Sequence, residues 1–220
     1  MYIAIEGVIG VGKTTLARLL KPAFEADLML EVFEENPFLS DFYADRERYA
    51  FQTQIFFLLS RYHQQREAAP KTRNHSGTLL SDYTFEKDSL FARINLKGDE
   101  LEMYYRVHEA LGEKIPLPDL VVYLRATTDV LMQRIALRDR PYERDMDRGY
   151  IDLLNHTYDQ YYLDRKTVPG KSVPILTIDT NDLNFVSKPD DLKQVEERIR
   201  QTLRLSPFQA ELPLPVETES

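Results

Sequence analysis

YIAIEGVIGVGKTT, residues 2–15, is the segment from which the fold class of this chain is predicted. Its first five residues, YIAIE, are apolar with little polar alternation, which is typical of a strand buried on both faces. The next nine, GVIGVGKTT, match the pattern G-x-x-x-x-G-K-[ST] without a mismatch. The matching positions are Gly7, Gly12, Lys13 and Thr14, with an additional glycine at Gly10. A strand, this loop and then a helical pattern indicate an α/β protein with a phosphate-binding loop.

The chemistry of this loop explains its spacing. Its glycines let successive backbone N–H groups face phosphate oxygens, and the N-terminus of the following helix adds positive potential. The lysine reaches the terminal phosphates, and the threonine hydroxyl next to it can ligate Mg²⁺. The sequence therefore predicts binding of a nucleoside triphosphate by the loop residues Gly7, Val8, Ile9, Gly10, Val11, Gly12, Lys13, Thr14 and Thr15.

Four further short apolar segments alternate with longer helical patterns. The predicted strands are YIAIE (2–6), LMLEVF (28–33), TLLSD (78–82), LVVYLRA (120–126) and VPILTID (173–179). The predicted helices cover residues 13–25, 42–68, 86–93, 98–114, 128–138, 145–166 and 189–203. This alternation predicts a five-stranded parallel sheet with helices on both faces. We expect one domain over residues 1–205 and an extended or mobile tail over 206–220.

Composition narrows the functional class. The chain has 36 Asp+Glu against 28 Lys+Arg, a formal net charge of −8, and no cysteine. The acidic balance argues against a nucleic-acid partner, and the lack of thiols excludes disulfides and zinc–thiolate sites. No run approaches the ~18–20 apolar residues of a membrane span, and MYIAIEG does not resemble a signal peptide. We therefore expect a cytoplasmic protein that binds small molecules and neither a membrane nor nucleic acid.

One local exception to the acidic balance is RIALRDRPYER, residues 134–144. A solvated helix end, neutralised by the interleaved acids Asp139, Glu143 and Asp145, is the simplest interpretation. Beside a phosphate loop, however, arginines compensate charge that develops on a transferred phosphoryl group. We therefore predict a short arginine-rich lid in which Arg134, Arg138 and Arg140 stabilise phosphate charge. Arg144 and Arg148 are interpreted as surface charges.

Other phosphate-loop classes lack their signatures here. The guanine motif N-K-x-D of GTPases is missing, since DTND (179–182) is only a partial match, and no D-x-x-G follows the third predicted strand. A nucleoside monophosphate kinase would need cations for an acceptor phosphate. A binding-only or regulatory P-loop protein would lack a buried acceptor pocket with a base. Both remain alternatives at this point.

Further motifs occur in a definite order along the chain. They are EVFEENP (31–37), FYADRERYAFQTQIFFLLSR (42–61), SDYTFEKD (81–88), RIALRDRPYER (134–144) and DTNDLNF (179–185). With the phosphate loop, this series resembles the deoxynucleoside kinases, which include deoxycytidine, deoxyguanosine and bacterial deoxyadenosine kinases. The resemblance implies a homodimer that transfers the γ-phosphoryl group of ATP, with Mg²⁺, to the 5′-hydroxyl of a purine deoxynucleoside or deoxycytidine in nucleotide salvage.

The resemblance also assigns the catalytic residues. Glu31 stands where the family has the glutamate taken as general base, although Val32 replaces the proline that follows it. Glu34 and Glu35 are rival carboxylates by sequence alone. Lys13 and the three arginines of the predicted lid complete the catalytic set. Asp82 matches an acid that assists Mg²⁺ together with Thr14.

The acceptor site is implied by similar matches. Tyr43 and Glu143 match residues that bind the sugar 3′-hydroxyl. Gln54 matches the amide that binds the base edge, with Gln52 as its rival, and Arg61 and Asp88 match a pair that faces the base. Phe85 and Phe91 are candidates to sandwich the base or to belong to the core.

The third-strand motif departs from the family at one position. Tyr83 stands where the family commonly has an arginine that holds the 5′ end of the acceptor. Lys87, one helical turn further on, is the candidate replacement. In the last motif, Asp182 and Phe185 match the loop that holds the base of the donor nucleotide.

Overall fold

The central strand of the sheet is β1 (Tyr2–Glu6), which leads directly into the phosphate loop. The computed structural model describes residues 1–74, 77–163 and 173–205. The other strands are β2 (Ala26–Met29), β3 (Thr78–Ser81), β4 (Leu120–Arg125) and β5 (Ile175–Asp179). All pairings are parallel, in the order β2-β3-β1-β4-β5. The predicted five-stranded parallel sheet is therefore confirmed, while the predicted tail 206–220 lies outside the described residues.

Eight helices surround this sheet in the described ranges. They are α1 (Lys13–Leu20), α2 (Leu39–Ala44), α3 (Arg46–Asn74), α4 (Glu86–Asn95), α5 (Gly98–Gly112), α6 (Thr128–Arg138), α7 (Arg148–Tyr162) and α8 (Pro189–Leu203). Two short 3-10 turns add Phe33–Glu35 and Pro141–Glu143. None of the helices in the described part of the chain is long and apolar enough to cross a bilayer.

The second strand lies earlier in the chain than predicted. The sequence suggested residues 28–33, whereas β2 ends at Met29. Its pairing explains the difference, because Met29 is in register with Ser81, the last residue of β3. The Asp82 backbone N–H still donates to the Met29 carbonyl oxygen at 3.4 Å, but the Glu31 backbone N–H donates to the Asp82 side chain, so the backbone ladder ends here. Glu31 consequently lies in the loop after β2, two residues past the strand end.

The helical segment predicted over residues 42–68 is two helices. The break falls at Asp45, whose backbone (φ −144°, ψ 83°) is not helical. Its side chain accepts a hydrogen bond from the Arg48 backbone N–H at 3.2 Å, which caps the first turn of α3. Because of this break, α2 packs against α3. Both helices contribute side chains to one cavity beside the phosphate loop.

Parallel strands bring their carboxyl ends to one edge of the sheet, where open α/β proteins bind ligands. The phosphate loop follows β1 at this edge, Glu31 follows β2, and Asp82 follows β3. The main apolar cluster fills both faces of the central strands, including the completely buried Ile3, Ile5 and Leu124. The fold therefore gathers the polar motifs at one edge above a rigid core.

Candidate active site

The phosphate loop has a backbone that only glycine adopts readily. Gly7 has φ +147°, and a Cβ atom there would lie 2.4 Å from the carbonyl oxygen of Leu124. Gly12 has φ +103° at the start of α1, where a Cβ atom would lie 3.1 Å from the ring of Phe185. Both positions require positive φ and close backbone approach, as the motif predicts.

Lys13 is held over this loop. Its Nζ donates to the carbonyl oxygens of Gly7 at 2.7 Å and Val8 at 3.1 Å. Burial and the neighbouring charge of Lys87 lower the pKa of Lys13 to about 8. The ammonium group therefore lies above the loop and loses its proton at a lower pH than a solvated lysine does.

A cavity of about 270 Å³ opens directly beside the loop. It is walled by the loop, the Phe33–Glu35 turn, α2, α3, α4 and the segment that follows α6. The predicted site residues that line it are Ile9, Gly10, Gly12, Lys13, Thr14, Thr15, Glu31, Tyr43, Gln54, Arg61, Asp82, Lys87, Arg138, Arg140 and Glu143. One cavity thus brings together residues from five separate sequence motifs.

Glu31 is the carboxylate that faces this cavity from the loop after β2. Its two oxygens accept hydrogen bonds from the guanidinium of Arg61 and from Lys87 Nζ. Burial alone would raise the pKa of Glu31, but the charges of Arg61 and Lys87 outweigh it and hold the pKa well below its usual range. The carboxylate is therefore ionised and fixed in orientation.

The two rival carboxylates have a different setting. Glu35 is exposed in the turn that follows Glu31, and it does not line the cavity. The side chain of Glu34 lies outside the described part of the structure. Among the described carboxylates of this segment, the geometry favours Glu31.

Arg61 also contacts Asp88 through its other terminal nitrogen. The side chains of Arg61 and Asp88 are only 5 % and 0 % exposed, so the pair is buried and not an exposed surface ion pair. Asp88 does not line the cavity itself and acts on it through Arg61. Arg61 therefore links Glu31 to Asp88 within the wall of the cavity.

The cavity walls formed by α3 and α4 favour one residue in each of two alternatives left open by the sequence. Gln54 is buried and lines the cavity, whereas its rival Gln52 is exposed. Phe91 lines the cavity, whereas Phe85 is buried elsewhere and stacks on His108 at 4.6 Å. Phe57 also lines the cavity, with the Arg61 guanidinium 4.8 Å above its ring. Sequence reasoning missed Phe57, although helical spacing from Gln54 (i, i+3) points to it.

Tyr83 does not line the cavity. It is completely buried in a small cluster on the sheet, and its hydroxyl donates to the side-chain oxygen of Gln64 at 2.6 Å. Lys87, one turn into α4, lines the cavity instead and contacts Glu31. The positive charge next to Glu31 therefore comes from α4 and from Arg61 of α3.

Thr14 and Asp82 meet at the junction of loop and cavity. The Thr14 hydroxyl donates to one carboxylate oxygen of Asp82, and the other oxygen accepts the Glu31 backbone N–H at 2.8 Å. The described residues contain no cluster of three or more His, Cys, Asp or Glu able to hold a metal ion. A hydroxyl beside a carboxylate still offers the oxygen ligands that Mg²⁺ prefers.

The arginines of the predicted lid separate into two groups. Arg138 and Arg140 line the cavity, and both contact Glu143 from the Pro141–Glu143 turn. Arg144 and Arg148 are exposed and pair with Asp139 and Asp129, as expected of surface charges. Arg138 and Arg140 therefore lie where a phosphate charge is expected.

Arg134 lies beside the phosphate loop but on the side away from Glu31. Its terminal nitrogens donate to the Thr180 hydroxyl at 2.9 Å and carbonyl at 2.6 Å, and more weakly to the carbonyls of Val11 and Leu183. All four of its terminal N–H donors have protein acceptors, and Arg134 does not line the cavity beside the loop. Arg134 lines a second cavity, on the other side of the loop, so its assignment to phosphate charge stays a prediction. Its side chain joins the phosphate loop to the loop after β5.

The second cavity, of about 590 Å³, lies on the other side of the phosphate loop. Asp182 and Phe185 line it, as does the outer face of Gly12. Asp182 is exposed and Phe185 is buried. Arg138 lines both cavities, so the two meet at the loop and at this arginine.

A parallel sheet, a phosphate loop and a carboxylate-bearing cavity beside it define a P-loop kinase fold. A sequence model described as deoxynucleoside kinase matches residues 3–204. The chain therefore belongs to the deoxynucleoside kinase family and is an enzyme that phosphorylates deoxynucleosides. This membership does not favour a nucleoside monophosphate kinase or a binding-only P-loop protein.

Individual relatives agree with this assignment. The chain is 30 % identical over 202 residues to a deoxyguanosine kinase of Bacillus subtilis (strain 168), covering 92 % of this chain and 97 % of that protein. It is 32 % identical over 199 residues to a deoxyadenosine kinase of Dictyostelium discoideum, covering 88 % of this chain and 77 % of that protein. A solved deoxyadenosine kinase from M. mycoides, with dCMP and a flexible dCDP bound, has a TM-score of 0.77 at 23 % identity, covering 92 % of this chain and 100 % of that one. This last likeness shows the shared fold.

Proposed function

We propose that this chain transfers the γ-phosphoryl group of ATP, with Mg²⁺, to the 5′-hydroxyl of a purine deoxynucleoside or deoxycytidine. The observation that carries the proposal is one cavity lined by both Lys13 of the phosphate loop and the carboxylate of Glu31. A phosphate donor on the loop and an acceptor hydroxyl beside Glu31 then share one enclosed space. The relatives named as deoxyguanosine and deoxyadenosine kinases support a purine acceptor.

In this proposal the acceptor oxygen forms a bond to the γ-phosphorus as the bond to the β,γ-bridging oxygen breaks. The proton of the 5′-hydroxyl passes to Glu31. A carboxylate with a lowered pKa is a weak base, but phosphoryl transfer passes through a loose transition state that depends mostly on positioning and charge. Glu31 therefore acts mainly by orienting the hydroxyl, and its own orientation is fixed by Arg61 and Lys87.

Charge on the transferred group is met from three sides. Lys13 lies over the loop, and Arg138 and Arg140 extend from the lid. Thr14 and Asp82 would hold Mg²⁺, which supplies positive charge to the phosphate oxygens. Such donors stabilise the charge that develops in the transition state more than the charge of the ground state.

The remaining cavity residues are assigned to the acceptor nucleoside. Tyr43 and Glu143 take the sugar 3′-hydroxyl, while Gln54 and Arg61 take the edge of the base. An amide offers a donor and an acceptor, and a guanidinium offers donors only. Cytosine, adenine and guanine all present complementary groups to such a set. In the second cavity, Asp182 and Phe185 are assigned to the base of ATP.

Two further properties belong to the same proposal. We propose a homodimer, because α3 and α5 pack together and carry the exposed apolar side chains Leu59, Met103 and Tyr105. Apolar side chains of this size on adjoining helices are typical of protein interfaces. The acidic, cysteine-free composition supports a cytoplasmic location without nucleic-acid or membrane partners.

The experiment is a panel of four deoxynucleosides, each incubated with Mg²⁺ and ATP and scored for the monophosphate. We expect product from deoxyguanosine, deoxyadenosine or deoxycytidine. Lys13→Ala, measured in parallel, should abolish turnover while the fold survives. Arg148→Ala, at an exposed position at the start of α7, serves as the control. No monophosphate from any of the four, or near-normal turnover by Lys13→Ala, would overturn the proposed function.

A further inference from the structure

The two arginines of the lid that line the catalytic cavity share a single carboxylate. Arg138 donates to one oxygen of Glu143 from Nε at 3.0 Å and from a terminal nitrogen at 2.5 Å. Arg140 approaches the other oxygen at 3.6 Å, and its guanidinium also lies 4.0 Å above the ring of Phe33. Glu143 is only 4 % exposed, while Arg138 and Arg140 are 33 % and 30 % exposed.

This arrangement occupies two of the five N–H donors of Arg138 and places the charge of Arg140 against the same carboxylate. A guanidinium that forms hydrogen bonds to a carboxylate has fewer N–H groups for a phosphate, and its charge is partly neutralised. Arg138 also lines both cavities, so the restrained group is the one between the two proposed substrates. Glu143 therefore limits how strongly the lid can stabilise a phosphoryl group.

Glu143 also belongs to the sugar end of the cavity. Burial raises the pKa of Tyr43, and the negative charge of Glu143 contributes to the same shift, so the two side chains are electrostatic neighbours. The rings of Tyr43 and Tyr142 stack at 5.9 Å with an angle of 12° between their planes, which fixes the lid turn against α2. A sugar hydroxyl placed between Tyr43 and Glu143 would compete with the arginines for the same carboxylate.

We propose that Glu143 restrains Arg138 and Arg140 and releases them to the γ-phosphate when the 3′-hydroxyl of an acceptor hydrogen-bonds to it. The inference rests on the proposed function and deepens it, since it assigns Glu143 a positioning role besides sugar binding. Its purpose is to suppress transfer to water. In that side reaction a water oxygen bonds to the γ-phosphorus, the β,γ-bridging bond breaks, and ADP, phosphate and a proton are released.

The first test is hydrolysis of Mg²⁺-ATP without any deoxynucleoside, measured as phosphate release by the full chain. Glu143→Gln keeps the side-chain size and removes the charge. We expect phosphate release to rise by about 10-fold, a small part of the ~10³–10⁵ that an arginine donor is worth. Adding Arg138→Ala should return release to the wild-type level. Asp139→Asn is the matched control, because Asp139 pairs with exposed Arg144 outside the cavity.

A second test uses the unaltered protein and so does not depend on the folding of a variant. A 2′,5′-dideoxynucleoside keeps the 3′-hydroxyl but has no 5′-hydroxyl to accept phosphate. We expect it to stimulate phosphate release, whereas the 2′,3′,5′-trideoxy analogue should not. Equal effects of the two analogues, or unchanged release by folded Glu143→Gln, would overturn the inference. Monophosphate formation in the four-nucleoside panel would still support the proposed function, so the two failures are distinguishable.

Discussion

The guanidinium of Arg61 and the carboxylate of Glu31 form an ion pair in the wall of the cavity, joining α3 to the loop after β2. Arg61 contacts Asp88 through its second terminal nitrogen, and Lys87 contacts the second oxygen of Glu31. Removing one partner of a buried ion pair leaves an uncompensated buried charge, which strongly destabilises the folded protein. The proposed general base and the proposed base-recognition residues are therefore one electrostatic unit.

The first prediction concerns Glu31. Glu31→Gln keeps the shape of the side chain but removes the proton acceptor, so kcat should fall by ~10²–10⁴ with the best acceptor. Glu35→Gln, which alters an exposed carboxylate four residues away, is the matched control and should have little effect. Steady-state kinetics of both variants check this. A larger loss in Glu34→Gln than in Glu31→Gln would move the assignment to Glu34.

The second prediction is an alkaline decline in activity set by Lys13, whose pKa is lowered to about 8 by burial and by Lys87. The protonated lysine binds phosphate, so kcat/KM for ATP should fall as pH rises through this pKa. Lys87→Met removes a neighbouring positive charge and should move the decline to higher pH. Arg144→Ala, which alters an exposed arginine, should leave the pH of the decline unchanged. If the alkaline decline of Lys87→Met occurs at the same pH as that of the wild type, Lys87 does not lower the pKa of Lys13 and this prediction is contradicted.

The third prediction distinguishes Arg138 from Arg134. Arg138→Ala should lower kcat more than it weakens nucleoside binding, because the charge it meets develops in the transition state. Arg134→Ala removes the link between the phosphate loop and Thr180, so it should mainly raise KM for ATP and lower the thermal midpoint. An effect of Arg138→Ala confined to nucleoside affinity would contradict its role in the lid.

The fourth prediction concerns thymidine, whose 5-methyl group would be placed against the buried Arg61–Asp88 pair. We expect kcat/KM for thymidine at least ~100-fold below that of the best acceptor, as ~3 kcal/mol of differential binding gives. Replacing both residues, Arg61 with Met and Asp88 with Ala, should narrow this ratio even though all rates fall with the loss of the contact to Glu31. Gln52→Ala, on the exposed side of α3, is the control and should leave the ratio unchanged.

Competitive phosphorylation of thymidine against deoxyadenosine, deoxyguanosine and deoxycytidine measures the ratio within each variant. Thymidine turnover by the wild type that equals the best of the others would contradict this assignment of the pocket. Both side chains of the Arg61–Asp88 pair are buried, so the pair is not a solvent-exposed ion pair.

The five-stranded sheet and the phosphate loop could both be predicted from local sequence patterns. Buried parallel strands read as continuous apolar runs, and a loop with fixed glycine positions is a local pattern that needs no distant partner. The end of β2 could not be predicted in this way, because β2 ends where β3 ends and not where its own apolar run ends. The single long helix predicted over residues 42–68 failed for a similar reason, since the capping geometry of Asp45 competes with helical periodicity.

The contacts of the charged residues, in contrast, follow from the three-dimensional packing of the elements and not from local sequence patterns. Arg134 and Arg138 belong to the same arginine motif, yet Arg134 binds Thr180, 46 residues away, while Arg138 binds Glu143 and lines the cavity. Lys87 contacts Glu31 across 56 residues, and Phe57 lines the cavity although no sequence motif marks it. The physical reason is that a side chain's partner is set by the packing of elements far apart in the chain, whereas spacing within one motif fixes only which residues share a local surface.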